Sequence, residues 1–185
     1  MKQFIKTILG YIKCRMYGVK YPVGGVYIGR DVHITNGKNV QLGENVSIRP
    51  NCDLFAGQIF RIGANTDIGT RNRIGGNVII EDHVLFGPDN YISSIDHTYS
   101  DVNTPIIYQG GYSVCKNGHN ELKIGEGSWI GTHCAIIGDV HIGKHCVIGA
   151  NSVVNTDIPD YSVAVGMPAR VVKKYNFSTG KWENE

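Results

Sequence analysis

The sequence lacks a hydrophobic run long enough to cross a bilayer, which excludes a spanning helix. No secretory leader is recognisable in its first stretch, "MKQFIKTILGYIKCRMYGVK". It also lacks an excess of charge of one sign. A net charge of +2 over 185 residues gives no field to gather nucleic acid, so no nucleic-acid partner is expected. Cysteine pairs at C-x-x-C spacing are missing. The five cysteines, Cys14, Cys52, Cys115, Cys134 and Cys146, are odd in number. They read as reduced packing residues of a cytosolic protein, with Cys115 an incidental loop thiol. Proline is sparse at 6 residues, whereas glycine is abundant at 24, a balance that favours tight turns over helices.

What the sequence does have is a repeat of six. Blocks such as "IGRDVH", "IGANTD", "IGTRNR", "IGTHCA", "IGKHCV" and "IGANSV" begin at Ile28, Ile34, Leu42, Ile48, Leu54, Ile62, Ile68, Ile74, Ile80, Phe86, Ile124, Ile130, Ile136, Ile142, Ile148 and Val154, with a truncated block at Ile92. Every leading residue is Ile, Leu, Val or Phe. The fifth position is small or modest, as at Val32, Val46, Cys52, Thr66, Val78, Val84, Ser128, Cys134, Val140, Cys146 and Ser152. Period six fits neither an amphipathic helix nor a simple alternating strand, but it fits a solenoid of short strands and tight turns. The leading and fifth residues face the interior, and the Asn, Asp, Lys and His between them face solvent. Glycine follows the leader in ten of the seventeen blocks, which predicts close approach and unusual φ at the bend. Two-residue insertions before Leu42 and Ile62 are expected to bulge at corners.

Two segments depart from the repeat. At the start, Phe4, Ile5, Ile8, Leu9, Ile12 and Met16 fall on one helical face. That helix is expected to cap the exposed end of the stacked strands. Because it is basic as well as amphipathic, its other candidate role is a peripheral contact with a membrane surface. The second departure is the excursion that begins in "NYISSIDHTYSDVNTP", after which the repeat resumes at Ile124. Loops longer than ~12–15 residues in compact domains are usually functional or disordered.

The string "IGANSVVNTDIPDYSVAVGMPARVVKKY", together with "DHTYSDVNTPI", resembles the hexapeptide-repeat O-acetyltransferases over about residues 25–175. The likeness is to galactoside and maltose acetyltransferases, and more to those that modify capsule, lipopolysaccharide or exopolysaccharide sugars. It implies an all-β fold, a left-handed parallel β-helix of about five to six triangular coils. Its hand opposes the right-handed crossover rule for parallel strands, and periodicity alone does not reveal it. At the strand spacing of ~4.8 Å such a prism stands roughly 25 Å tall. The expected layout is an amphipathic helix over 1–20, the β-helix over 21–165 with an active-site loop at 93–123, and a tail over 166–185. The resemblance further implies a homotrimer with active sites between subunits, acetyl-CoA as co-substrate, no metal, and a sugar or polysaccharide-precursor acceptor. It places the protein in the cytoplasm, with the helix a candidate for contact with the inner face of the membrane.

Transfer of acetyl from a thioester to a hydroxyl needs a base, donors for an oxyanion and a track for the cofactor. His97 is the expected base, since an unperturbed imidazole titrates at ~6.5, near neutrality. Its rival is His119 in the same excursion. His83, His133 and His145, at the fourth block position, and His33 and His141, at the sixth, read as surface histidines. Asp96, a backbone carbonyl or another carboxylate could orient His97. By resemblance, Thr132 in "WIGTHC" supplies a backbone N–H to the oxyanion. Trp129 and Gly131 border the cofactor, and Trp129 has core or subunit packing as its other reading. Ala150, one coil later, donates its N–H to the pantetheine arm, while Pro168, Arg170, Lys173 and Lys174 hold adenine and phosphates. Asn72 and Arg73 are the acceptor candidates, where the match to the family thins. Other readings of the chain are an N-acetyltransferase of an amino-sugar nucleotide and a non-catalytic solenoid. A zinc site would need three converging histidines, and His141 and His145, four apart, do not converge at period six.

Overall fold

The protein was described through a computed structural model covering residues 2–21, 24–109, 112–114 and 121–185. The repeat folds as a parallel solenoid with three faces and about six coils. The first face stacks Val26–Ile28, Val46–Ile48, Asp67–Ile68, Leu85–Phe86, Trp129–Ile130, Val147–Ile148 and Ser162–Gly166. The second carries His33–Thr35, Tyr91–Ser93, Ala135–Ile137 and Val153–Val154. The third carries Val40–Leu42, Leu122–Ile124 and His141–Ile142. Asp53–Ile62 and Arg73–Ile80 run round the corner and serve both the second and third faces.

Every leading residue of the repeat is buried, with Ile48, Ile68, Ile92, Ile124, Ile130, Ile136, Ile148 and Val154 fully so. The fifth-position residues are buried beside them, from Val32 to Ser152. Each leader stacks on its counterpart one coil away, as in Ile28–Ile48–Ile68 and Ile74–Ile92–Ile136. A fully buried side chain of this size contributes roughly 1.5–3 kcal/mol, so the rows of leaders are the main source of stability.

The turn chemistry differs from expectation in one respect. Positive φ does not fall on the glycine after the leader but on the fourth residue, at Asp31, Asn45, Asn51, Asn65, Arg71, His83, Asp89, Gly127, His133, His145 and Asn151. Asn, Asp and His are the side chains that tolerate this region best. The second-position glycines other than Gly75 serve close approach. A Cβ on Gly131 would lie 2.7 Å from the Ala150 nitrogen of the next coil.

The insertions share one edge. The extra residues before Leu42 and Ile62 lie where the second face turns into the third, at Gly37–Asn39 and in the register break between Ala56 and Phe60. The long excursion leaves from that same edge in the fourth coil, after Tyr91–Ser93, and returns at Leu122–Ile124. Both flanks keep their places against the third coil, Ser93 on Gly75 and Leu122 on Val78.

The first coil is capped by helix α1, Lys2–Tyr17, as expected, but with the opposite face inward. Gly10 and Cys14 are buried, while Ile8, Leu9, Ile12 and Met16 are exposed; the side chains of Phe4 and Ile5 lie outside the described residues. Small residues win because they let the helix sit directly on the main chain. A Cβ on Gly10 would lie 2.0 Å from the Val26 carbonyl oxygen. Tyr11 and Tyr17 hydroxyls donate to the Gly24 and Val32 carbonyls at 2.9 and 2.7 Å. At the other end, Ser162–Gly166, Ala169–Asn176 and Lys181–Asn184 form an antiparallel meander that finishes the first face.

Cys14, Cys52, Cys134 and Cys146 are free and buried, and Cys115 lies outside the described residues. Burial pushes the Cys14 thiol up to about 11 and raises the other three as well. Raised thiols hold little thiolate near neutrality. A Cys115→Ser protein is therefore expected to give no reaction with a disulfide reagent at pH 8 until it is denatured. Prompt titration of a native thiol would contradict this packing.

Candidate active site

His97 ends the strand Ile95–His97, which pairs antiparallel with Tyr112–Val114, so the excursion opens as a β-hairpin. The His97 backbone N–H donates to the Asp96 carboxylate at 2.8 Å. Asp96 thus acts on the main chain of His97 and shapes the entry to the hairpin. Further out, Asp101 caps the turn by accepting from the Asn103 N–H and the Thr104 hydroxyl, and Gln109 bonds back to Asp101. The tip presents Val102, Ile106, Ile107 and Tyr108 to solvent, Val102 at 94% exposure. His119 lies outside the described residues.

Between the hairpin and the second face is a cleft of about 430 Å³. His97, Asp96 and Ile95 form one wall, and Asp53, Phe55, Arg73, Gly75 and Tyr91 line the other. These residues stand in two outward rows, Asp53–Arg73–Tyr91 and Phe55–Gly75–Ser93. Gly75, with no side chain between Phe55 and Ser93, leaves a notch in the second row. Arg73 Nε lies 3.6 Å from the Asp53 carboxylate. Phe55 and Tyr91 are each about half exposed.

Of the two acceptor candidates, the structure brings Arg73 to His97 and removes Asn72. Asn72 is 0% exposed and occupies a fifth position. Its amide donates to the Gly69 and Gly87 carbonyls, and its oxygen accepts from the Asn90 N–H. Asn90 repeats the arrangement one coil later, accepting from the Cys134 N–H at 2.7 Å. Asn72 is thus part of an internal ladder. Asp53, Phe55 and Tyr91 were missed by sequence reasoning. Their signal is their place beside a leading residue, where a strand with one buried face points outward.

A second set of groups lies on a different edge, where the first face turns into the second. Thr132 and Ala150 occupy the third block position in successive coils. Neither backbone N–H has an acceptor among the described residues. Thr70 shares the feature further down, but Pro50 and Pro88 at the equivalent positions have no N–H, so Thr132 and Ala150 form the one adjacent pair. On the edge between the third and first faces, three of the equivalent donors are occupied: the Ala64, Glu126 and Lys144 N–H groups each donate to a carboxylate. The Thr132 hydroxyl donates to the Pro88 carbonyl at 2.9 Å and fixes the turn.

The C-terminal hairpin rises above this pair. Gly149 N–H donates to the Ala164 carbonyl and Gly166 N–H to the Ser152 hydroxyl, which seats the turn holding Met167 and Pro168 over the Ala150 corner. Arg170 pairs across from Val165 and is exposed. Lys173 and Lys174 follow on the same strand, but Lys174 is engaged with Glu185 at 2.6 Å. Trp129 points outward on the first face between Leu85 and Val147 and is half exposed, so it has no part in the core. None of Trp129, Gly131, Thr132, Ala150, Pro168 or Arg170 lines the cleft at His97. His97 and the donor pair stand on opposite edges of the second face.

The family model for the bacterial transferase hexapeptide (six repeats) matches residues 122–156. A Mycobacterium tuberculosis protein named a probable acetyltransferase is 34% identical over 171 residues, covering 86% of this chain and 52% of its own. Escherichia coli galactoside O-acetyltransferase is 33% identical, covering 73% of this chain and 64% of its own. The chain therefore spans between half and two thirds of the length of these two relatives. Escherichia coli WbbJ, whose name places it in lipopolysaccharide biosynthesis as an O-acetyl transferase, is 27% identical over 99% of this chain and 90% of its own. Among solved structures, the Bacillus cereus N-acyltransferase AntD, with dTDP and 3-hydroxybutyryl-CoA, superposes at TM-score 0.72 over 91% of this chain and 89% of its own, at 20% identity. A Vibrio cholerae hexapeptide-repeat acetyltransferase complexed with acetyl coenzyme A gives 0.61 at 25% identity, over 90% and 76%. The fold is the left-handed parallel β-helix that the family resemblance implies.

Proposed function

Because the chain belongs to the hexapeptide-repeat family, we propose that it is an acetyl-CoA-dependent O-acetyltransferase acting on a sugar hydroxyl. The observation that carries this reading is the division of the site. His97 projects from one edge of the second face, and two unpaired N–H donors stand on the other. Two copies set side by side in a homotrimer bring one chain's His97 to the next chain's Thr132. The exposed tip at Val102, Ile106, Ile107 and Tyr108 is the surface that packs on the neighbour.

In this site His97 takes the proton from the sugar hydroxyl as its oxygen attacks the acetyl carbonyl. The Thr132 N–H donates to the oxyanion of the tetrahedral intermediate. Collapse breaks the carbon–sulfur bond, and the imidazolium returns the proton to the departing thiolate. The products are the acetylated sugar and free coenzyme A, with no covalent enzyme intermediate. Ala150 N–H holds the pantetheine arm. Pro168 meets the adenine, Arg170 and Lys173 meet the phosphates, and Lys174 joins them only by leaving Glu185. Trp129 and Gly131 flank the thioester end. The acceptor enters the cleft at His97, its ring against Phe55 and Tyr91 and its polar groups toward Arg73 and Asp53. The likeness to WbbJ supports an acceptor in cell-surface polysaccharide assembly, in the cytoplasm, where four unpaired cysteines stay reduced.

Subunit complementation tests the division directly. Co-assembly of His97→Ala with Thr132→Pro chains in equal amounts should restore about a quarter of wild-type activity, since about a quarter of the sites pair an intact His97 with an intact Thr132. No recovery in verified mixed oligomers would place both groups in one chain's site and sink the reading. A panel of sugars and amino sugars then tells hydroxyl from amine acceptors. Separately, Arg170→Ala is expected to raise the acetyl-CoA KM by roughly tenfold, the loss of one charge-assisted contact, with turnover little changed. An unchanged KM would remove Arg170 from the cofactor track.

A further inference from the structure

The inverted seating of α1 leaves an apolar stripe facing away from the prism. Ile8, Leu9, Ile12 and Met16 are 41, 52, 50 and 76% exposed. At 3.6 residues per turn they lie within about 100° of arc, a continuous strip along the outer side of the helix. The inner side of the helix is already occupied. Gly10 and Cys14 are against the first coil, Tyr11 and Tyr17 are bonded to its carbonyls, and Lys13 Nζ reaches the Ile28 and Gly29 carbonyls.

The charge carried by the helix sequence is all of one sign. The helix sequence carries Lys2, Lys6, Lys13 and Arg15 and contains no Asp or Glu. Lys20 follows it, and the first acidic residue of the chain is Asp31. Arg15 and Lys20 are exposed. The helix is too short and too charged to cross a bilayer. An exposed apolar strip with basic flanks on a helix fixed across the end of a rigid body has the form of an in-plane membrane anchor. A second copy is a poor occupant, since packing this face on itself brings basic residues onto basic residues.

We propose that the outer face of α1 is a docking surface for an anionic lipid bilayer, on which the prism stands end-on. Apolar side chains enter the boundary between headgroups and acyl chains, and the basic residues meet lipid phosphates. The inference stands on the helix alone and does not depend on the acetyl-transfer reading.

The test is sedimentation of the full chain with sucrose-loaded vesicles, either phosphatidylglycerol-containing or pure phosphatidylcholine. The protein is expected to sediment with the anionic vesicles and to bind neutral ones at least about tenfold more weakly. Leu9→Ser combined with Ile12→Ser should abolish binding without changing the circular dichroism spectrum, because both side chains are exposed. Arg15→Glu should weaken it and flatten its salt dependence. No sedimentation with anionic vesicles overturns the proposal. So does binding that ignores the Leu9 and Ile12 substitutions. If those substitutions instead lower the mass measured by light scattering while wild-type protein ignores lipid, the face is a contact between copies, and the proposal fails.

Discussion

His97→Ala is expected to lower turnover at least ~10²-fold, the lower end for loss of a general base, while acetyl-CoA affinity stays nearly unchanged. The two effects separate because His97 and the proposed cofactor residues are different groups from different parts of the chain. His97 lines the cleft with Asp53, Phe55, Arg73 and Tyr91, and the proposed cofactor residues lie on another edge. His97 is exposed at the mouth of a hairpin, so its removal opens no hole in the core. Steady-state kinetics with a responsive acceptor measure the turnover, and calorimetry with coenzyme A measures the affinity. Full activity in the variant would end the assignment. A fall in coenzyme A affinity matching the fall in turnover would show that the hairpin, and not the imidazole, had been lost.

Thr132→Pro should reduce turnover further, by ~10²–10³-fold, the usual consequence of deleting one oxyanion donor. Proline removes the N–H together with the hydroxyl that donates to the Pro88 carbonyl. Pro50 and Pro88 already occupy the same block position in the second and fourth coils, so the turn accepts the ring. The melting temperature should therefore move little. Thr132→Ala is the companion measurement, since it keeps the N–H and deletes the hydroxyl that donates to the Pro88 carbonyl. Near wild-type activity for alanine with loss for proline identifies the backbone donor. Equal loss in both would shift the role to the hydroxyl and remove the N–H from the mechanism.

The rows of leaders were legible because burial in a solenoid recurs at fixed spacing, and Ile68, Ile130 and Ile148 announce themselves by position alone. The fifth position was legible for the same reason at Cys52, Cys134 and Cys146. Asn72 belongs to that row, and its eighteen-residue spacing to Asn90 was the available signal for an internal ladder. Helix α1 was legible as a cap but not in its orientation. A periodic pattern tells which side of a helix is apolar, whereas seating was decided by how closely Gly10 and Cys14 allow the backbone to approach. The cleft was hidden for a geometric reason. Asp53 and Arg73 are twenty residues apart and Arg73 and Tyr91 eighteen, so their row emerges only once the insertion is assigned to its edge.

Both flanks of the excursion are pinned to the third coil, Ser93 on Gly75 and Leu122 on Val78. The fourth coil is thus templated from its two ends, and the segment between them only has to close a loop. Closure entropy grows with the logarithm of length, by about 0.6 kcal/mol per doubling. Lengthening a six-residue corner to the span of residues 94–121 therefore costs little more than ~1 kcal/mol. A change of one residue inside a block, by contrast, turns a row of leaders out of the core. Length and composition between 94 and 121 are free to vary almost independently of folding, so the hairpin wall of the cleft can change while the prism stays fixed.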